Sequence, residues 1–537
     1  MTDFYLRTES IRTEEILDLS VINDQDRLII DALCSPEPCL LEGSRGTGKS
    51  FLMKVAEQEL ELKKDKTMPV FVSFNISSLI NADDDLQFYH WMLAKTLKAL
   101  INKLRKEGHT ISVNTSSLLS NDEFQSADDT ETSLKEIVKL FENSYRSNTS
   151  IATGTLPDIE DVKEAIEDIC KENKIRRVFF FFDEAAHVFR PEQQRQFFSL
   201  FKDMRSPYIT CNGAIYPGVT YFGDSFEPIH DCLYKRIERD IKDPKYVPYF
   251  KEIVCKQATS EVRDAIERHG ELFATLALAG GGNPRMVLKT IQDAARFSTN
   301  SVNQIIKDFY RTKIWSEHTE LGEKYKGHKP LIDWGRDFLE STVIPQIEKL
   351  NLSRRERTAD ESSIYFWIHK DAPETVKEAL RLLTYTSIIR KVDSGIRATR
   401  SELGTRYEVK YGCIIALFSN PNTESQSLRS SLSIGKYPEF GKNHSSYTSI
   451  LNLKGSIENE TSFTESVKDM LAKPITVLDV LTEWQINKLH EAGIDTIDSL
   501  YNTTEEELIN RIYNVGPARA RVMKNAATAE LLEYLSG

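Results

Sequence analysis

Pro38-Cys39-Leu40-Leu41-Glu42-Gly43-Ser44-Arg45-Gly46-Thr47-Gly48-Lys49-Ser50-Phe51 is the stretch on which the reading of this chain turns. A short apolar strand runs into a glycine-rich loop, and a helical pattern follows from Ser50 to Leu62. Gly43-x-x-x-x-Gly48-Lys49-Ser50 matches the Walker A pattern in full, in the strand-to-helix context that gives the pattern its meaning. Glycines let successive backbone N–H groups curl around phosphate oxygens, and the following helix turns its positive end on the same anion. The segment Gly43, Ser44, Arg45, Gly46, Thr47, Gly48, Lys49, Ser50 and Phe51 is therefore expected to hold ATP. Lys49 would bridge the outer phosphates, and the Ser50 hydroxyl would ligate Mg²⁺. The competing reading is a chance glycine-rich turn.

Such a loop needs an acidic partner across the sheet. Val178-Phe179-Phe180-Phe181-Phe182-Asp183-Glu184 supplies one at the end of an apolar strand. Asp183 is expected at Mg²⁺, and Glu184 is expected to orient the attacking water. The plainer alternative is a pair of carboxylates capping the next helix. Helical patterns at 24–34, 86–106 and 158–173 and strands at 69–74, 177–182 and 207–216 complete an alternation that predicts an α/β fold with a parallel sheet. From about 108 to 155 the chain turns rich in Ser, Thr, Asn and Asp, broken by a helical piece at 134–141. It reads as a partly mobile insertion.

At 537 residues the chain exceeds a single ordinary core. Its 40% hydrophobic and 28% charged content is that of a soluble globular protein. No segment has the length and apolarity of a signal peptide or a membrane span, so a cytoplasmic protein with no membrane partner is expected. Seven cysteines without metal-ligand spacing read as reduced thiols. A net charge of −12 argues against a surface that coats nucleic acid, while leaving room for a local basic patch.

With Walker A, Asp183-Glu184, the strand ending at Ile215-Tyr216-Pro217-Gly218 and Gly282-Asn283-Pro284-Arg285 opening a helix, the chain resembles an AAA+ ATPase. The last motif is similar to that of the origin-recognition and replication-initiator branch and of related signal-transduction ATPases. The resemblance spans about residues 20–300 and implies a helical lid after the sheet. It also implies that Arg285 acts as sensor 2 on the γ-phosphate, with a solvated helix-terminal arginine as the alternative. Arg236, with Arg239 behind it, becomes the candidate arginine for a neighbouring subunit, unless it is an ordinary surface residue. Sensor 1 is usually a polar residue at the end of the fourth strand. That place holds Tyr216-Pro217, and Asn212 lies too early in the strand to substitute.

In the resembling initiators a winged-helix domain follows the lid. Here Glu374–Leu383 reads as a helix and Ile388–Val392 and Arg406–Tyr411 as two wing strands, with Arg397 and Arg400 at the turn. Such a module suits DNA phosphates or a docking protein. The tail resembles tandem helix-hairpin-helix folds. Asn514-Val515-Gly516 stands for the usual Gly-hydrophobic-Gly, because Asn tolerates left-handed angles. Gly516 opens a helix, and Arg519, Arg521 and Lys524 add charge suited to duplex phosphates. The alternative is an α-helical docking domain, since Glu505-Glu506-Glu507 repels DNA.

The expected organisation is a P-loop ATPase core at 1–243, a helical lid at 244–300 and a winged-helix-like domain at 301–418. A Ser/Asn-rich linker at 419–475 and a tethered all-α domain at 476–537 would follow. The expected function is an ATPase coupling ATP and Mg²⁺ to homo-oligomer assembly and double-stranded DNA. The alternative is a signal-transduction or antiviral-defence switch acting on a partner protein.

Overall fold

The computed structural model describes residues 4–63, 65–74, 87–112, 115, 119, 134–139, 156–184, 191–217, 220, 222, 226–294, 297–324, 328–356, 361–399, 401–451, 470–478 and 481–535. Contacts divide the chain into two units, Met1–Ile305 and Ile306–Gly537.

The first unit is built on a parallel sheet of β1 (Cys39–Glu42), β2 (Thr67–Ser73), β3 (Arg177–Asp183), β4 (Ile209–Ile215) and β5 (Leu233–Arg236), in the order β2-β3-β4-β1-β5. β4 thus lies between the strand that enters the glycine loop and the strand that ends in Asp183. Parallel neighbours need crossovers, and the helices Lys49–Leu62, Gln87–Glu107, Ile159–Asn173 and Pro191–Asp203 occur between successive strands. The period of two in β3 serves both faces of the sheet. Phe180 and Phe182 enter one core with Val70, Trp91, Ile166 and Phe197, while Phe179 and Phe181 enter another with Leu41, Met53 and Ile30. A strand buried on both sides reads as an unbroken apolar run.

Helices Tyr246–Gln257, Ser260–Arg268, Gly270–Ala279 and Pro284–Asp293 follow, where the lid was expected. Gly270–Ala279 is apolar around most of its circumference and is correspondingly buried. Most of the 108–155 insertion lies outside the described residues. Of those described, Leu119, Leu134 and Val138 are buried in the first core, so these parts of the insertion belong to the packed structure.

The second unit carries a sheet of order β7-β8-β6-β9. β6 (Tyr365–His369) precedes the helix Glu374–Tyr385, and β7 (Ile389–Arg397) and β8 (Leu403–Val409) form the expected antiparallel hairpin. Val376, Ala379, Leu380 and Leu383 are all buried, as their spacing on one helix face predicts.

Two expectations about this half are corrected. The segment 419–451 is not a linker. It forms the helix Pro421–Ser431 and the strand β9 (Glu439–Phe440), which pairs in parallel with β6. Its scattered apolar residues are the reason: Leu428, Phe440 and Tyr447 are buried, and the Phe440 ring lies 5.1 Å from Phe338. Residues 452–469 lie outside the described ones.

The tail, for its part, is docked rather than free. In the helix Pro517–Leu535, Arg521 donates Nη1 to the Asp371 carbonyl at 2.7 Å, and Asn525 reaches Glu374 at 3.4 Å. Phe440→Ala should therefore lower the stability of the second unit by about 3–5 kcal/mol, read from denaturant unfolding. Unchanged stability would return 419–451 to the status of a tether.

Candidate nucleotide site

Asn23, Asp158 and Asn283 cap their helices with side chains, but the helix Lys49–Leu62 has none. Its cap is Gly48, at φ 101°, without a side-chain hydrogen bond, and its first turn holds no acidic residue. A helix start without a side-chain cap presents N–H groups suited to an outside anion. Gly46 is also left-handed, at φ 86°, and a Cβ there would stand 2.8 Å from Asn283 Oδ1. A Cβ on Gly43 would meet Thr47 Oγ1 at 2.5 Å. Both glycines are thus needed by the tight loop itself and by its contact with the Gly282-Asn283-Pro284-Arg285 turn.

Lys49 is buried and bends back on the loop, donating to the carbonyls of Gly43 (2.6 Å) and Ser44 (3.2 Å). Its ammonium lies 3.8 Å from the centroid of the Tyr216 ring. Tyr216 immediately follows β4 and so occupies the position between the two motif strands. Asn212 is excluded from the site: it sits mid-strand opposite Cys39 and donates to the Leu33 carbonyl at 3.0 Å.

Asp183 ends β3, is buried, and accepts a hydrogen bond from the Ser50 hydroxyl. Ser50 and Asp183 are hard oxygen donors already in contact, a set that fits Mg²⁺ together with phosphate oxygens. Glu184 follows at φ 60° with its N–H on Asp183 Oδ1 at 3.0 Å. That left-handed angle in a non-glycine residue stores about 1–3 kcal/mol of strain.

Burial pushes the Lys49 ammonium down to about 7 and raises the Asp183 carboxyl. Burial, then the charge of Asp183, raises Glu184 as well.

Arg285 belongs to the same neighbourhood. Its backbone N–H reaches the Gly46 carbonyl at 3.4 Å, and its Nε donates to the Leu6 carbonyl at 2.9 Å. The chain near the N-terminus therefore also borders the site, which the sequence did not signal.

Arg236 is placed differently from expectation. It lies within β5 rather than before it, and it pairs with Glu42 at 2.7 Å with its side chain half exposed. Arg239 is not a surface arginine at all. Its side chain is 4% exposed, and it joins Thr47, Gly282 and Asp26. Phe51 lies in the first turn of the loop helix, half buried.

In the second unit the expected basic face is largely consumed. Arg521 makes a two-pronged pair with Glu505 at 2.9 and 3.1 Å. Lys524 donates to the Tyr501 carbonyl, and burial lowers its ammonium. Arg390 pairs with Glu408, and Arg406 with Asp393, across the hairpin. Arg397 donates to the Ser401 carbonyl at 3.0 Å, while Arg400 lies outside the described residues. Gly516 and Arg519 are exposed, and the Arg519 guanidinium lies 5.0 Å from the Trp484 ring. Asn514 has the left-handed angle expected of it, φ 65°.

No protein-family model matches the chain, and no curated protein matches it. Among solved structures it is similar to the Aeropyrum pernix ORC1 protein in complex with DNA, at 14% identity and TM-score 0.33, over 78% of this chain and 95% of that one. Among the described residues no helix is long and apolar enough to cross a membrane.

If Lys49 meets a phosphate, the anion restores its charged form, so above about pH 7 binding takes up a proton and affinity falls as pH rises. The slope approaches about tenfold per pH unit. On the acid side a proton must leave Asp183 before Mg²⁺ enters, so affinity falls again as pH drops through its raised value. Calorimetric titration of MgATP across the pH range should show both limbs. A flat alkaline limb would remove Lys49 from the anion.

Proposed function

We propose that the chain is an ATP-hydrolysing switch of the AAA+ kind. The observation that carries this reading is the meeting of Lys49, Ser50 and Asp183 at the ends of β1 and β3, with the lid turn seated on the same loop. The strand order that places β4 between those two strands supports it. Bound Mg²⁺ would supply positive charge to the transferring phosphate, held by Ser50 and Asp183.

The roles of the chain's own groups follow from where they stand. The open helix end and the loop amides bind the phosphates, and Lys49 leaves the Gly43 and Ser44 carbonyls to join them. Glu184, whose carboxyl is raised by burial, orients and polarises water. Arg285, already against Gly46, carries the lid's response to the γ-phosphate. Arg236 enters only as the partner of Glu42.

Glu184→Gln should keep ATP affinity within a few fold and lower turnover by about 10²–10⁴, measured by phosphate release beside nucleotide titration. Wild-type turnover in that variant would remove Glu184 from the reaction. Lys49→Ala should abolish MgATP binding.

The output proposed for the second unit is contact with duplex DNA through Gly516, Arg519 and Arg397, read as phosphate contact without base selection. Two or three such contacts give a log-log salt slope of about −2 to −3, and Arg519→Ala should flatten it by about 1. Fluorescence anisotropy of labelled duplex at several salt concentrations reads both. No binding at low salt would give the lead to the second reading, a switch acting on a partner protein. The internal pairing of Arg521, Lys524, Arg390 and Arg406 is the observation that favours it.

A further inference from the structure

Arg239 is a buried cation outside the motifs, and its guanidinium touches both the glycine loop and the turn that opens the helix Pro284–Asp293. Nη1 donates to the Thr47 carbonyl at 2.9 Å and lies 3.4 Å from the Gly282 carbonyl. Nη2 donates to Asp26 Oδ1 at 3.0 Å. The other Asp26 oxygen accepts from the Tyr249 hydroxyl at 2.7 Å, and the guanidinium lies 5.3 Å from the Tyr249 ring. Gly282, at φ 80°, packs so closely that a Cβ would stand 3.3 Å from the Arg239 Cβ and carbonyl. Tyr246 closes the arrangement: its hydroxyl accepts the Gly282 N–H at 2.7 Å and donates to the Ala277 carbonyl at 3.0 Å.

The consequence lies in the planarity of the peptide bond. In a trans peptide the carbonyl and the following N–H point in opposite directions, and among the described residues no peptide is cis. Fixing the Thr47 carbonyl therefore fixes the Gly48 N–H on the opposite side of the loop. The same holds one and two residues earlier. Asn283 Nδ2 takes the Arg45 carbonyl at 2.9 Å, and the Arg285 N–H takes that of Gly46 at 3.4 Å. Three consecutive loop carbonyls are thus held from outside, two by the lid turn and one by Arg239, which itself touches the lid. Both flanking glycines are left-handed, so the loop's own backbone would otherwise admit other orientations.

We propose that Arg239 is a positioning residue for phosphate binding: its hold on the Thr47 carbonyl aims the Gly48 N–H into the phosphate cradle, and its contact with Gly282 ties that aim to the lid. The proposal rests on the nucleotide reading of the glycine loop. Arg239 touches no phosphate itself. Asp26 and Tyr249 orient the guanidinium, and the planar fork sets one nitrogen on Thr47 and another on Asp26, where a lysine would offer a single nitrogen for both.

The test uses the full chain. Arg239→Lys keeps the charge beside Asp26 but cannot span Thr47 and Asp26 together. It should weaken MgATP and MgADP by about tenfold while leaving adenosine, measured by competition, within about twofold. A residue that merely supported the fold would weaken all three or none. Wild-type ATP affinity in a folded Arg239→Lys protein overturns the proposal. So does an equal loss for adenosine.

If Arg239→Lys fails to fold, Tyr249→Phe decides by the same comparison. It removes one hydroxyl from Asp26 and should cost MgATP about threefold with adenosine unchanged; no change overturns the proposal. Lys49→Ala separates the two levels of the argument. ATP lost in Lys49→Ala but retained in Arg239→Lys defeats the role of Arg239 alone, whereas ATP retained in Lys49→Ala defeats the nucleotide reading beneath it.

Discussion

A loop that turns its amides toward an anion must turn its carbonyls the other way, and a buried carbonyl needs a donor. That requirement organises the first unit. The donors come from Asn283, from the Arg285 backbone and from Arg239, residues far from the loop in sequence and close to it only because the chain after the sheet folds back. Asn283 serves two ends with one amide: its oxygen caps the helix Pro284–Asp293 at Met286 N and its nitrogen holds Arg45. The Gly282–Arg285 turn and the glycine loop are parts of one hydrogen-bonded object, so a change in one is felt by the other without a relay.

The sheet and the loop were legible because their physics is local. The unbroken apolar run Val178–Phe182, glycines at left-handed positions and the strand-loop-helix order all leave marks within a few residues of where they act. Arg239 stands out in the sequence only behind Arg236, as a candidate for a neighbouring subunit. Its partners are Asp26 and Thr47, 213 and 192 residues away, too distant to mark its local context. Tyr216 was recognised only as an irregular occupant of its position, and the border formed by Leu6 was invisible, since a backbone carbonyl carries no residue-type signature.

Composition misled in the second unit for a related reason. A Ser- and Asn-rich stretch reads as a linker when its few apolar residues are averaged away, yet Leu428, Phe440 and Tyr447 are enough to seat it beside β6. Counting arginines near a hairpin likewise ignores who else is near. Glu505, part of the acidic run taken as a deterrent to DNA, is the carboxylate that occupies Arg521. Opposite charges that looked like competing signals in the sequence are one interaction in the structure.

The bond from Arg521 to the Asp371 carbonyl joins residues 150 positions apart, and its meaning is also temporal. A chain emerging from a ribosome at roughly 5–20 residues per second has presented every part of the first unit by Ile305, while Asp371 must wait a further interval of roughly ten seconds or more for its arginine. The first unit can mature during synthesis. In the second half β6 waits for Phe440 to supply its neighbouring strand, and the Asp371 carbonyl waits for the last helix.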